Sequence, residues 1–80
     1  MTKDEEVLKN QVLYASLDLK EANDIASKIT DMRSTVRTLS GTFTALGLAL
    51  QEMTKVVTWA ERVHEAAEIN LAYYRKNNPQ

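Results

Sequence analysis

The chain has no cysteine, one proline, two glycines and one histidine among its 80 residues. Each shortage excludes something. Without cysteine there are no disulfides and no thiolate metal sites, so a domain this small keeps association as its remaining external support. One histidine, with no glycine-rich phosphate loop, cannot build the usual nucleophile–base or nucleotide-binding constellations. Ser and Thr are plentiful but sit in helical text, with no strained turn to expose a nucleophile. An enzyme is not expected, and no cofactor is implied.

Charge of either sign is not in excess: ten Lys and Arg face eleven Asp and Glu, for a net charge of -1. A dedicated nucleic-acid binder carries a basic surplus. Here Lys20, Lys28, Arg33 and Arg37 are interleaved with Asp18, Glu21, Asp24 and Asp31, which breaks up any basic stripe. A nucleic-acid-binding regulator is therefore an alternative that composition disfavours. Long apolar runs are missing too. The uncharged stretch 38–51 is fourteen residues long, short of the ~20 needed to span a bilayer. The opening Thr2-Lys3-Asp4-Glu5-Glu6 is too acidic for the positive region of a signal peptide. A cytoplasmic protein without membrane partners is the expectation.

What the chain does contain is helical pattern. Thr2 and Glu5 have capping-box spacing, and Asp4, Glu5 and Glu6 suit the positive end of a helix dipole. Arg75 and Lys76 suit the negative end, before Asn77-Asn78-Pro79 stops the helix. Asp24 to Lys28 and Glu5 to Lys9 have the i,i+4 order that supports a helix between.

Stepping by four and three from Ile25 gives Ile29, Met32, Val36, Leu39, Phe43, Leu46, Leu50, Met53, Val57, Ala60, His64, Ala67, Leu71 and Tyr74. Only His64 is plainly polar in this heptad seam. Upstream, Leu8, Val12, Ala15, Leu19, Ala22, Ala26 and Ile29 follow the same stepping, shifted by one residue near Ile25 and Ala26. Val7, Leu13, Tyr14, Leu17, Ala49, Val56 and Val63 widen the apolar surface beyond a two-stranded seam, as a bundle of three or four helices requires.

Residues 34–44 are rich in Thr and contain Gly41, and such residues are indifferent helix formers. A vertex at 40–42, with Gly41 as the C-terminal cap, gives one domain of two antiparallel helices over about 3–39 and 43–77. Each would be about 50 Å long at ~1.5 Å per residue. The all-α expectation is such a hairpin dimerising into a four-helix bundle. The heptad phase passes through Gly41 without a skip, which keeps one long coiled-coil helix, or several shorter helices, as alternatives.

The functional expectation is a small oligomer, most simply a homodimer, that acts on another protein as adaptor, scaffold or inhibitor. Its expected interface is the seam stretch Ile29, Met32, Val36, Leu39, Phe43, Leu46, Leu50, Met53 and Val57. Trp59 and Tyr73, with Ala66 between them at seven-residue steps, form an off-seam stripe and are partner-binding candidates. The alternative chemistry is a ferritin-like di-metal carboxylate bundle. Glu61-Arg62-Val63-His64 is a Glu-x-x-His string, and across a hairpin Glu21 would be its partner carboxylate. His64 would otherwise be a seam residue pairing with Glu61 or Glu68.

Overall fold

A computed structural model describes residues 3–36 and 40–78. The chain forms two helices, α1 over Lys3–Thr35 and α2 over Ser40–Asn77, packed against each other along their length. No strand occurs among the described residues. The molecule extends 61 × 15 × 13 Å with a radius of gyration of 18.0 Å. A compact globule of this length would have a radius of about 12 Å, so the hairpin is a rod one helix pair thick. One continuous helix is thereby excluded.

Both outer helix ends carry charges that suit the helix dipole, and the end of α2 adds local hydrogen bonds. Asp4, Glu5 and Glu6 occupy the first turn of α1, and Arg75 and Lys76 the last turn of α2, each complementing the local dipole. Thr2 and Pro79 lie outside the described residues. At the α2 terminus the Asn77 side-chain amide donates to the Tyr73 carbonyl at 2.8 Å. Asn78 donates to the Tyr74 carbonyl from both its backbone (2.9 Å) and its side chain (3.1 Å). The stop read from the two asparagines is thus made of carbonyl caps. Glu5 and Arg75 join the two ends, with Arg75 Nε donating to Glu5 Oε1 at 3.1 Å.

The vertex falls earlier than 40–42. Ser40, Gly41 and Thr42 belong to the first turn of α2, and no described glycine has a positive φ. Gly41 is therefore not the C-cap of the first helix. Ser-Gly text is as suited to a helix start as to a turn. The stop comes instead at Ser34-Thr35-Val36, where the Ser34 and Thr35 hydroxyls donate back to the Thr30 and Asp31 carbonyls. The same back-bonds occur at Thr30, Thr54 and Thr58 within the helices, so they accompany the end of α1 and do not by themselves cause it. Val36 closes the last described turn, its N–H donating to the Met32 carbonyl at 3.3 Å. Leu39 lies outside the described residues.

The seam itself is narrow. Among the described residues the most buried are Ala15 and Ala22 on α1 and Ala60 and Ala67 on α2, each pair seven residues apart, and no larger side chain of the described residues is fully buried. Small residues at heptad spacing let the two backbones approach closely. In α2 the seam runs as the sequence predicts, from Phe43 to Tyr74, every position buried or half-buried. In α1 it follows the upstream run to the end of the helix: Ala22, Ala26, Ile29, Arg33 and Val36 face inward. Ile25 and Met32, expected on the seam, are 38% and 50% exposed. A straight helix holds one phase, and the phase set by Leu8, Val12 and Ala15 puts Arg33 where an apolar residue would be expected. The unbroken phase across the vertex arises because the α2 seam restarts at Phe43, seven residues after Val36, while the chain reverses direction.

Candidate functional site

With seam positions named a and d of a heptad, Ala15 and Ala22 are d in α1, and Ala60 and Ala67 are d in α2. The c and g positions of both helices then lie along the same side of the hairpin, as antiparallel pairing demands. The grooves on that side bear this out. One is lined by Gln11, Tyr14 and Asp18 with Val63, Ala66 and Asn70. The next is lined by Asp18, Glu21 and Ile25 with Val56 and Trp59. One continuous face results, carrying Val7, Tyr14, Ile25 and Met32 from α1, and Val56, Trp59, Val63 and Tyr73 from α2. All of these are exposed.

The opposite edge is different in kind. It carries Ser16, Thr30, Thr54, Glu61 and Glu68 beside the seam. There Thr30 and Thr54 donate to the carbonyls of Ala26 and Leu50 at 3.0 and 2.9 Å. Thr58, next to it, does the same to Thr54. A hydroxyl spent on its own backbone has less to offer a partner. Leu13, Leu17, Leu48 and Ile69 are exposed away from the apolar face.

Trp59, Tyr14 and Tyr73 dominate the face at 63%, 63% and 70% exposure. An aromatic side chain carries ~150–250 Å², so these three leave on the order of 400 Å² uncovered. With the aliphatic residues between them, the face comes to about the 800 Å² per partner of a standard interface. Polar Gln11, Asp18, Glu21 and Asn70 are interspersed on it, yet so much exposed apolar area on one side is more than monomeric proteins usually leave open. The chain matches no protein-family model, no characterised protein and no solved structure. The face has to be understood from its own chemistry.

The residues expected at an oligomer interface divide between the seam and the apolar face of the single chain. Ile29, Val36, Phe43, Leu46, Leu50, Met53 and Val57 are half-buried on the seam between the helices of one chain. Their first contact is internal. Met32 is on the apolar face, and Leu39 is outside the described residues. Trp59 and Tyr73 do share one stripe and are open to solvent in the single chain. Sequence reasoning did not connect Tyr14, Ile25 and Met32 to that stripe. The seven-residue spacing of Val7 and Tyr14, and of Ile25 and Met32, was the available signal.

The residues proposed for a metal are not brought together. Glu21 lines the groove beside Trp59, Glu61 is on the opposite edge, and His64 is on the seam. His64 Nδ1 lies 2.9 Å from Glu68 Oε1, the helical pairing expected as the alternative. No cluster of three or more metal-ligating side chains occurs among the described residues. No described helix is long and apolar enough to cross a membrane.

Near the vertex, Arg33 is a second polar residue on the seam, in addition to His64. Its guanidinium carbon lies 4.1 Å from the Phe43 ring centroid, a cation–π stack. Its Nε is buried without a hydrogen-bond partner. Gly47 makes room for it: a Cβ there would sit 3.2 Å from Arg33 Nη2.

Proposed function

We propose that this chain is a small non-enzymatic helical oligomer that acts through protein–protein contacts, as an adaptor, scaffold or inhibitor. The observation that carries the proposal is the continuous c/g face with Trp59, Tyr14 and Tyr73 exposed on it. A rod whose most buried side chains are alanines has little core of its own, and covering that face gives it one. The opposite edge, where Leu13 is exposed beside Lys9 and Ser16 but none of the described aromatic side chains is, stays toward water in such an assembly. The cytoplasm is the setting we propose, on the balanced charge of the chain.

Sedimentation velocity over a concentration series tests this. The wild-type chain should sediment as a multiple of 9.0 kDa, and Trp59→Ala with Tyr73→Ala should shift it toward one chain. A wild-type chain that stays at 9.0 kDa at every concentration would sink the oligomer.

A further inference from the structure

The register of the hairpin decides which residues of the apolar face would meet if a second copy covered it. The hairpin sets which residues of α1 and α2 lie level: Glu5 beside Arg75, Ala15 and Ala67 along one groove, Ala22 and Ala60 along the next. On the c/g face the same register levels Tyr14 with Ala66 and Gln11 with Asn70. It levels Glu21 with Trp59 and Ile25 with Val56. One heptad further toward the vertex, it levels Lys28 with Glu52 and Met32 with Ala49.

Resting on the oligomer reading above, we propose that the occupant of this face is a second copy of the chain, turned about the long axis so that both vertices point the same way. Each α1 then lies across from the other copy's α2 at the same level, and each levelled pair becomes a contact between copies. Tyr14 meets the small Ala66 of the second copy, and Met32 meets its Ala49, so bulk faces space twice over, while Asp18 levels with Val63, a carboxylate set against an apolar side chain. The Gln11 and Asn70 amides face one another and can exchange hydrogen bonds. Glu21 faces the indole N–H of the second copy's Trp59, a donor for a carboxylate. Lys28 faces the second copy's Glu52, and the symmetry makes this ion pair twice.

The area agrees, since a stable dimer needs about the 800 Å² per partner that this face offers. The opposite orientation, with vertices at opposite ends, runs α1 past α1. Centred on the rod, it sets Asp18 and Glu21 against their own copies, a confrontation of like charges that interfaces avoid. Glu52 in the single chain is held by Lys55 at 3.0 Å on an exposed surface. Such a pair is readily exchanged.

The test is a charge exchange between two variants, Lys28→Glu and Glu52→Lys, each examined alone and then mixed in equal amounts by sedimentation velocity. Either variant alone places two like-charge pairs across the dimer and should raise its dissociation constant on the order of tenfold. In the mixture one chain offers a carboxylate at both positions and the other an ammonium group at both. Both ion pairs re-form across the mixed dimer, and dimerisation should return to the wild-type level. The lost Lys55 contact is the same alone and mixed, so it cancels. A wild-type dimer with no gain on mixing, with single variants that dimerise normally, or with a mass above two chains overturns this arrangement and leaves the oligomer standing. A wild-type chain that is monomeric overturns both.

Discussion

Arg33 is the residue whose placement departs furthest from what its chemistry favours. It occupies a seam position, its Nε has no partner, and its contact is the Phe43 ring. A buried unpaired donor costs ~1–3 kcal/mol, and the stack returns about 0.5–1 kcal/mol. Arg33→Met keeps an unbranched stem and removes the orphaned donor. It is expected to stabilise the fold by about 1 kcal/mol, read as a higher urea midpoint with an unchanged slope. The glycines give a paired comparison. Nothing lies within 4 Å of a Cβ at Gly41, whereas a Cβ at Gly47 meets the Arg33 guanidinium. Gly41→Ala should therefore stabilise by roughly 0.5–1 kcal/mol, and Gly47→Ala by less, because the guanidinium must move off Phe43. Equal thermal shifts for the two would show that the Arg33 stack contributes nothing.

At the scale of the helices, the alanine seam is the feature that sets the spacing. Replacing Ala22 or Ala60 by Leu forces the backbones apart and is expected to cost about 1–3 kcal/mol. The same change at exposed Ala72, off both the seam and the apolar face, should be nearly neutral. Circular dichroism during thermal unfolding separates the two cases, and tolerance of Leu at both seam sites would remove the close-packed seam. The Glu5–Arg75 pair, which ties the helix ends together, is half-exposed on the arginine side. Arg75→Ala should cost at most about 1 kcal/mol, and the difference should shrink in ~1 M salt.

These elements also mark how far the sequence alone could be read. The helical content, the two outer ends and the α2 seam were legible, because periodicity, dipole charges and the terminal asparagines all act locally. The vertex was not, since Ser40-Gly41-Thr42 satisfies the chemistry of a turn and of a helix start equally well. The α1 seam was ambiguous because two apolar runs overlap with a one-residue shift, and Arg33 reads as polar until its stem and ring contact are seen. Of the candidate face, the Trp59–Tyr73 stripe was visible as a seven-residue repeat. Its other half was not, because which side of α1 borders Trp59 depends on how the helices pair in three dimensions.

At the scale of the whole molecule, the proposed assembly would make the face, and not the seam alone, a source of stability. Two helices whose only buried side chains among the described residues are alanines form a marginal unit, and three of the aromatic rings, Tyr14, Trp59 and Tyr73, are exposed rather than in the seam with Phe43 and Tyr74. Folding and assembly are therefore expected to be linked: the thermal midpoint should rise with chain concentration, as it does when only the native state binds. Trp59 reports the same event, and its emission should move to shorter wavelength over the concentration range in which the sedimentation mass increases. A midpoint independent of concentration would mean the hairpin is stable alone.

The hydrogen bond between Arg75 and Glu5 fixes one more property of the rod. It holds the beginning of α1 beside the end of α2, so the rod has a pole where both strands of chain emerge and a pole that is only a bend. In the turned arrangement, all four emerging strands gather at one pole of the pair. Cargo fused to any of them would be collected on that side, and the bends would be left free as a blunt tip. The assembly would thus work as a one-ended clasp, and dyes attached at the beginning and end of different chains should transfer energy efficiently.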